Sequence, residues 1–194
     1  MVKMLMADLF HRVDNWDKKI SKRMGKASPK MLKLASILAL SGNAQPWMVV
    51  SFLFFVFDIF FRNRSDNLVQ LSVAGIGGLT SAIIKYITKR KRPDEQIALK
   101  YISTGDQWSF PSGHATRMGC LAMFMTLYYP TFGWIMVIWA VGVCYGRIAL
   151  QIHYFLDIVG GALLGISFGA VAYFLMNYFD VIFDPISNWF PSIW

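Results

Sequence analysis

Three clusters of basic and histidine residues, each at one end of an apolar stretch, hold the groups needed to move a phosphoryl group. They read Lys85-x6-Arg92-Pro93, Pro111-Ser112-Gly113-His114 and Arg147-x5-His153-x3-Asp157. His153 and Asp157 are four residues apart at the start of a predicted helix, so they share a face. The carboxylate can then keep one ring nitrogen protonated while the other attacks phosphorus. An aspartate one turn inside a membrane helix is expensive without a purpose. Ser112 and Gly113 stand at another predicted helix start, where unpaired N–H groups and the helix dipole favour a phosphate oxygen. Ser112 adds a hydroxyl donor, Gly113 permits close approach, and His114 falls beside the leaving oxygen as general acid. Lys85, Arg92 and Arg147 bring positive charge to the equatorial oxygens of a pentacoordinate phosphorus. That charge can replace a metal; the chain has three histidines, His11 is remote in sequence, and no metal-ligand set assembles. Arg117, three residues after His114 and one turn deeper, is placed to meet a second phosphate or an acidic partner. Each cluster also has a plainer reading, as a serine cap with an interfacial histidine or as snorkelling cations. Only the three together carry the chemistry.

The elements that must position these residues read as membrane helices. The chain of 194 residues is 56% hydrophobic, its mean hydropathy is +0.45, and its apolar runs are too long for an ordinary soluble core. The spacing predicts an all-α bundle with six transmembrane helices at about 27–42, 45–61, 68–88, 113–129, 132–150 and 154–179. The first and second are separated by the turn chemistry of Ser41-Gly42-Asn43-Ala44-Gln45-Pro46. Leu5, Leu9, Val13, Trp16 and Ile20 recur at helical spacing and predict an amphipathic N-terminal helix lying on the membrane. The expected organisation is an interfacial segment at 1–24, a catalytic membrane domain at 25–180 and a short tail at 181–194. Small residues four apart (Ala74, Gly78, Ala82; Gly142, Gly146; Gly161, Gly165, Gly169) are expected to let helices approach closely.

Counting six crossings puts all three clusters on one membrane face. The opposite face then holds the basic N-terminal run (Lys18, Lys19, Lys22, Arg23, Lys26, Lys30, Lys33) with Arg62 and Arg64, so the positive-inside rule predicts a site on the extracytoplasmic side of a bacterial or archaeal cell membrane. The net charge of +8 favours anionic headgroups or phosphate substrates. Nucleic acid is not expected as a partner, because no aromatic-basic module appears in a soluble segment. Cys120 and Cys144 fall inside predicted helices and indicate no disulfide framework. The N-terminus reads as lacking a removable signal peptide. Asp58 and Arg62 read as a structural pair.

On these residues the chain resembles the type 2 phosphatidic acid phosphatase family, membrane relatives of the vanadium haloperoxidases. Order and spacing match across about 85–157, and the helix layout extends the resemblance over most of the chain. The resemblance implies a phosphohistidine intermediate without cofactor, with His153 as nucleophile, Asp157 as its orienter and His114 as acid, and Lys85, Arg92, Ser112, Gly113 and Arg147 as phosphate binders. One departure is Gly146, where many members have serine before the arginine. The stretch from Phe110 to Arg117 is similar to members that cleave isoprenoid diphosphates. The function this implies is hydrolysis of a lipid phosphate monoester or diphosphate at the membrane–water boundary. A phosphotransferase using the same phosphohistidine, or a non-catalytic lipid-binding or transport protein, are the alternatives. Neither the lipid nor the oligomeric state is encoded in a motif.

Overall fold

The structure, a computed structural model, describes residues 2–43, 66–94 and 106–187, together with 47–49, 52, 53 and 56. Six helices are described: α1 (Val2–Met24), α2 (Pro29–Ser41), α3 (Asp66–Thr88), α4 (Gly113–Tyr128), α5 (Pro130–Ala149) and α6 (Phe155–Ser187). Local chemistry sets several starts. Ser28 caps α2, its Oγ accepting from the Met31 N–H at 3.4 Å, with Pro29 in the first turn; Pro130 opens α5 in the same way. Helices α5 over Pro130–Ala149 and α6 over Phe155–Tyr178 are each long and apolar enough to cross a membrane. No strand is present among the described residues.

Helices α4 and α6 form the centre of the bundle. A Cβ at Gly161, Gly165 or Gly169 would meet the carbonyl oxygen of Ser112, Thr116 or Cys120 at 2.5, 2.1 and 2.4 Å, so glycine is what lets these backbones touch. Gly146 of α5 is pressed likewise against the Ala35 carbonyl of α2. The small-residue row of α3 is different: Gly78 has nothing within 4 Å of where a Cβ would stand, and it marks no close contact. Val73 of α3 packs with Phe124, Ala172 and Met176 at the far end of the bundle. Lys85 lies at the opposite end of α3, among the charged residues of the site.

The N-terminal third departs from the six-span expectation. Met24 packs with Ala115, Ile148 and Phe155, and Gly25 abuts the Gln151 side chain, so α1 ends on the face where the catalytic clusters lie. Helix α2 enters from that face and runs antiparallel to α5, with Ala35 beside Gly146 and Ser41 accepting from Trp139 Nε1 at 3.0 Å. Its 13 residues rise about 20 Å, short of the ~30 Å of a hydrocarbon core. The turn expected at the membrane surface lies beside the middle of α5, with Ser41 next to Trp139 and Gly42 next to Val143. The expected second span at 45–61, like the Asp58–Arg62 pair, lies outside the described residues apart from 47–49, 52, 53 and 56. Since α3 begins at the far end, Met24 and Asp66 are on opposite sides, where two complete spans would have returned the chain to the side it left. The basic N-terminal run thus leads to the same end of the bundle as the site, whereas the sequence expectation puts the two at opposite ends.

In α1 the stripe of Leu5, Leu9, Val13 and Trp16 is exposed, whereas Asp17 and Ser21 on another face are fully buried. Helix α6 runs to Ser187, beyond the expected end near 179.

Candidate active site

The turn between α5 and α6 is fixed by its own backbone: the N–H groups of Ile152 and His153 both donate to the Arg147 carbonyl, at 3.1 and 3.3 Å. This locks the arginine and the histidine of the third cluster together. His153 is 1% exposed, and its Nε2 lies 3.3 Å from Arg92 NH1. A guanidinium only donates, so Nε2 is the acceptor and the ring proton sits on Nδ1. Nδ1 faces Asp157 Oδ2 at 3.6 Å, slightly beyond a hydrogen bond. Such contacts are often long before substrate binds. Burial first, then Arg92, Arg147 and Lys85, push the His153 pKa well below its ordinary value, so the ring is neutral.

Around Nε2 stand the cations. Arg92 donates from NH1 to the Ile152 carbonyl at 3.1 Å and from NH2 to the Asp106 carbonyl at 3.0 Å. Lys85 Nζ reaches both oxygens of the Asp106 carboxylate at 2.6 and 2.7 Å. Arg147 is 1% exposed. Buried Nε of Arg92, Nε of Arg117, Nε and NH1 of Arg147, Ser81 Oγ and His153 Nδ1 have no hydrogen-bond partner within the protein. Buried donors are ordinarily satisfied, and leaving one unpaired costs roughly 1–3 kcal/mol. Five of these atoms, all but the His153 Nδ1 that faces Asp157, make a cradle for an anion carrying several acceptor oxygens. Asp106, unread in the sequence, sits within it and also takes Arg92 NH2 at 3.2 Å. Burial raises the Asp106 pKa, but Lys85 and Arg92 outweigh that and hold the carboxyl below its ordinary value.

Helix α4 delivers the second cluster. Ser112 is fully buried and serves as N-cap, its Oγ accepting from Ala115 N–H at 3.4 Å, while its own N–H donates to the Asp157 carbonyl at 2.9 Å. The oxygen accepts as a cap, and the O–H is left as the donor expected on phosphate. A Cβ at Gly113 would sit 3.6 Å from Arg117 NH1 and 3.9 Å from Ser81 Oγ, so the bare glycine leaves open the space between those two side chains. His114 Nε2 lies 2.9 Å from Asn43 Oδ1. With the amide so assigned, Asn43 keeps Nε2 protonated. His114 lies within the electrostatic reach of Arg147, Arg117, His153 and Lys85. Arg117 therefore belongs to the same cluster, as its spacing from His114 predicts.

Sequence reasoning missed three of these residues. Ser81 is one turn before Lys85 on the same face, a spacing signal that was available. Asn43 belongs to a turn that reads as surface punctuation, and Asp106 to a loop with no periodicity. Among the described residues, no group of three or more His, Cys, Asp or Glu could hold a metal ion.

Residues 67–180 match the profile of the PAP2 superfamily. This chain belongs to that superfamily. It is 30% identical over 143 residues to the undecaprenyl-diphosphatase of Sulfolobus acidocaldarius, covering 71% of this chain and 68% of that one. It is 32% identical over 114 residues to the decaprenylphosphoryl-5-phosphoribose phosphatase of Mycobacterium tuberculosis, covering 57% of this chain and 61% of the relative. The crystal structure of a transmembrane PAP2 type phosphatidylglycerolphosphate phosphatase from Bacillus subtilis superposes with a TM-score of 0.71 at 25% identity, covering 91% of each chain. The chain is a PAP2 phosphatase. Its departure at Gly146 has a steric cause: a Cβ there would lie 2.5 Å from the Ala35 carbonyl oxygen and 3.1 Å from the Ala39 nitrogen. Helix α2 occupies the space a serine needs.

Proposed function

We propose that this PAP2 phosphatase hydrolyses a phosphate monoester or diphosphate of a membrane lipid through a phosphohistidine on His153. Nε2 attacks phosphorus, a bond from nitrogen to phosphorus forms, and the bond to the leaving oxygen, of the lipid alcohol or the lipid monophosphate, breaks as His114 in its cationic form, with Nε2–H held by Asn43, gives that oxygen the proton on its other ring nitrogen. Water then attacks, giving a proton to His114; the phosphorus–nitrogen bond breaks and inorganic phosphate leaves. Asp157 holds the His153 Nδ1–H throughout. Lys85, Arg92, Arg117 and Arg147 neutralise the equatorial oxygens, with Gly113 leaving room for them and Ser112 fixing the start of α4. The observation that carries this reading is the set of unpaired buried guanidinium donors around an acceptor Nε2. With four fixed cations, turnover is expected to need no metal.

Arg117 adds a fourth cation with an unpaired buried Nε to the cradle, and two of the relatives are named for polyprenyl substrates. Both favour an isoprenyl diphosphate over a glycerolipid. The basic run on the site's face supports a cytoplasmic opening, the reverse of the sequence expectation. Lys18, Lys19, Lys22, Arg23, Lys26, Lys30, Lys89, Arg90 and Lys91 lie on or lead to that face.

The test is phosphate release by detergent-purified protein, in EDTA, from matched isoprenyl diphosphate, isoprenyl monophosphate, phosphatidate and phosphatidylglycerophosphate. Release from the diphosphate that is lost in His153→Ala is expected. Release that persists in His153→Ala sinks the phosphohistidine, and transfer of phosphate to an added alcohol without release marks a transferase.

A further inference from the structure

Helix α6 must begin at the right residue, because its first turn carries Asp157 and the turn before it carries His153. The first N–H groups of any helix lack intrahelical acceptors. Here the Tyr154 N–H donates to Asp157 Oδ2 at 2.8 Å, the reach-back half of a capping box. The next two are satisfied from α1: Phe155 N–H by Ser21 Oγ at 2.8 Å and Leu156 N–H by Asp17 Oδ1 at 3.0 Å. Gln151 Nε2 adds a bond to the Ser21 carbonyl at 2.8 Å. Asp17 and Ser21 are 0% and 1% exposed, so these are buried contacts between two elements far apart in sequence.

Arg90 joins the same contact to the reacting histidine. It lies in the basic run before Arg92, one of the intervening residues of the first cluster to which the sequence assigns no role. One arm, NH1, donates to Asp157 Oδ1 at 2.7 Å; the other, NH2, takes Asp17 Oδ2 at 2.6 Å and Asp14 Oδ1 at 3.1 Å. Its guanidinium stands 4.4 Å over the Tyr154 ring, and its carbonyl accepts from the N–H and Oγ of Ser109 at 2.8 and 3.2 Å. Burial opposes its charge, but Asp157 and Asp17 more than restore it, so Arg90 stays a cation. Docking α1 would need only the second arm. The first arm takes the one Asp157 oxygen that Tyr154 leaves free, and this fixes the carboxylate plane with Oδ2 towards His153 Nδ1.

We propose that Arg90, braced by Asp17 of α1, is a positioning residue for phosphoryl transfer, which makes the N-terminal helix part of the catalytic apparatus. Neither residue touches the anion cradle. The inference rests on the phosphohistidine reading of His153. Its signature is a fall in kcat with little change in KM, because Lys85, Arg92, Arg117 and Arg147 still bind substrate. Misplacing a reacting group by about 1 Å costs on the order of 10² in rate.

The experiment measures kcat, KM and melting temperature on the full chain in detergent for Arg90→Ala, Arg90→Lys, Asp17→Asn and Asp17→Ala. Asp8→Ala, which breaks an exposed pair with Arg12 on the same helix, is the control. Arg90→Ala is expected to lower kcat about 10²-fold with KM within twofold, and Arg90→Lys to recover part of it through one remaining contact. Asp17→Asn keeps an acceptor for the Leu156 N–H but loses the charge, so it should lower kcat per folded molecule, with a lower melting temperature from the lost ion pair. The double variant Arg90→Ala/Asp17→Asn should be no slower than Arg90→Ala alone, as expected for one coupled unit. Normal kcat per folded molecule in Arg90→Lys and Asp17→Asn overturns the proposal, whatever the Ala variants do to folding. His153→Ala separates the two readings: if it is active, the phosphohistidine fails; if it is dead while Arg90→Ala keeps its kcat, only the positioning role fails.

Discussion

At the scale of single residues, charge and burial decide what each side chain does. His153 is neutral because burial and three cations oppose its protonation, with Asp106 the opposing charge. The proposed nucleophilic role needs the free base, and a lowered pKa keeps the ring so below pH 6.5. The acidic limb of kcat/KM is therefore expected well under the ordinary histidine value, and a limb at 6.5 or above in a pH–rate profile would contradict it. Asp106 makes contacts that substrate oxygens need, since its carboxylate holds Lys85 and Arg92. Asp106→Asn frees those cations for an anion and leaves them unpaired otherwise. It should bind vanadate several-fold more tightly, measured by inhibition, and melt lower in the absence of any anion. Ser112 shows how a motif residue can have a second duty: its cap on α4 fixes where His114 stands.

At the scale of elements, two close helix contacts set the site. The α4–α6 contact brings His114 and His153 to the same end of the bundle, and it depends on glycine where backbones meet. Gly165→Ala places a methyl 2.1 Å from the Thr116 oxygen, so the helices must part, at a cost of about 1–3 kcal/mol. Gly78→Ala meets nothing and gains helix propensity, worth up to ~1 kcal/mol. Thermal melts of the two should move in opposite directions; equal shifts would show that the α4–α6 contact is looser than described. The α2–α5 contact has the same character at Gly146, where the family's more usual serine has no space. Helix α2 also ends beside the middle of α5 and presents Asn43 to His114. Irregular backbone inside a membrane bundle is tolerated where protein buries it, as Trp47 and Trp139 do here with ring centroids 5.9 Å apart.

At the scale of the whole molecule, the N-terminal helix and the active site share a face, and the sequence charge lies mostly with them. A cysteine introduced at exposed Lys89 and one at exposed Leu9 should react together with a membrane-impermeant maleimide, in inverted vesicles and not in intact cells. Labelling of both in intact cells would put the site outside the cytoplasm, and labelling of one alone would break the shared face.

The sequence by itself determined the family, the all-helical class and the ends of α3, α4 and α5 to within a few residues, and it named the eight motif residues and Arg117 as candidates, because regular periodicity and fixed motif spacing are local properties. A close approach along α6 was legible too, in the row Gly161, Gly165 and Gly169, but not which helix meets it. What only the tertiary structure decided involves residues distant in sequence. A turn at Gly42–Asn43 reads alike at a surface and beside the middle of a neighbouring helix, so the path of α2, and with it the side of the N-terminus, followed from packing against α5. Asp17, Ser21 and Arg90 look like ordinary members of charged, solvated segments. Their buried bonds to Asp157, Phe155 and Leu156 span more than sixty residues of chain, and no local pattern records such a pairing.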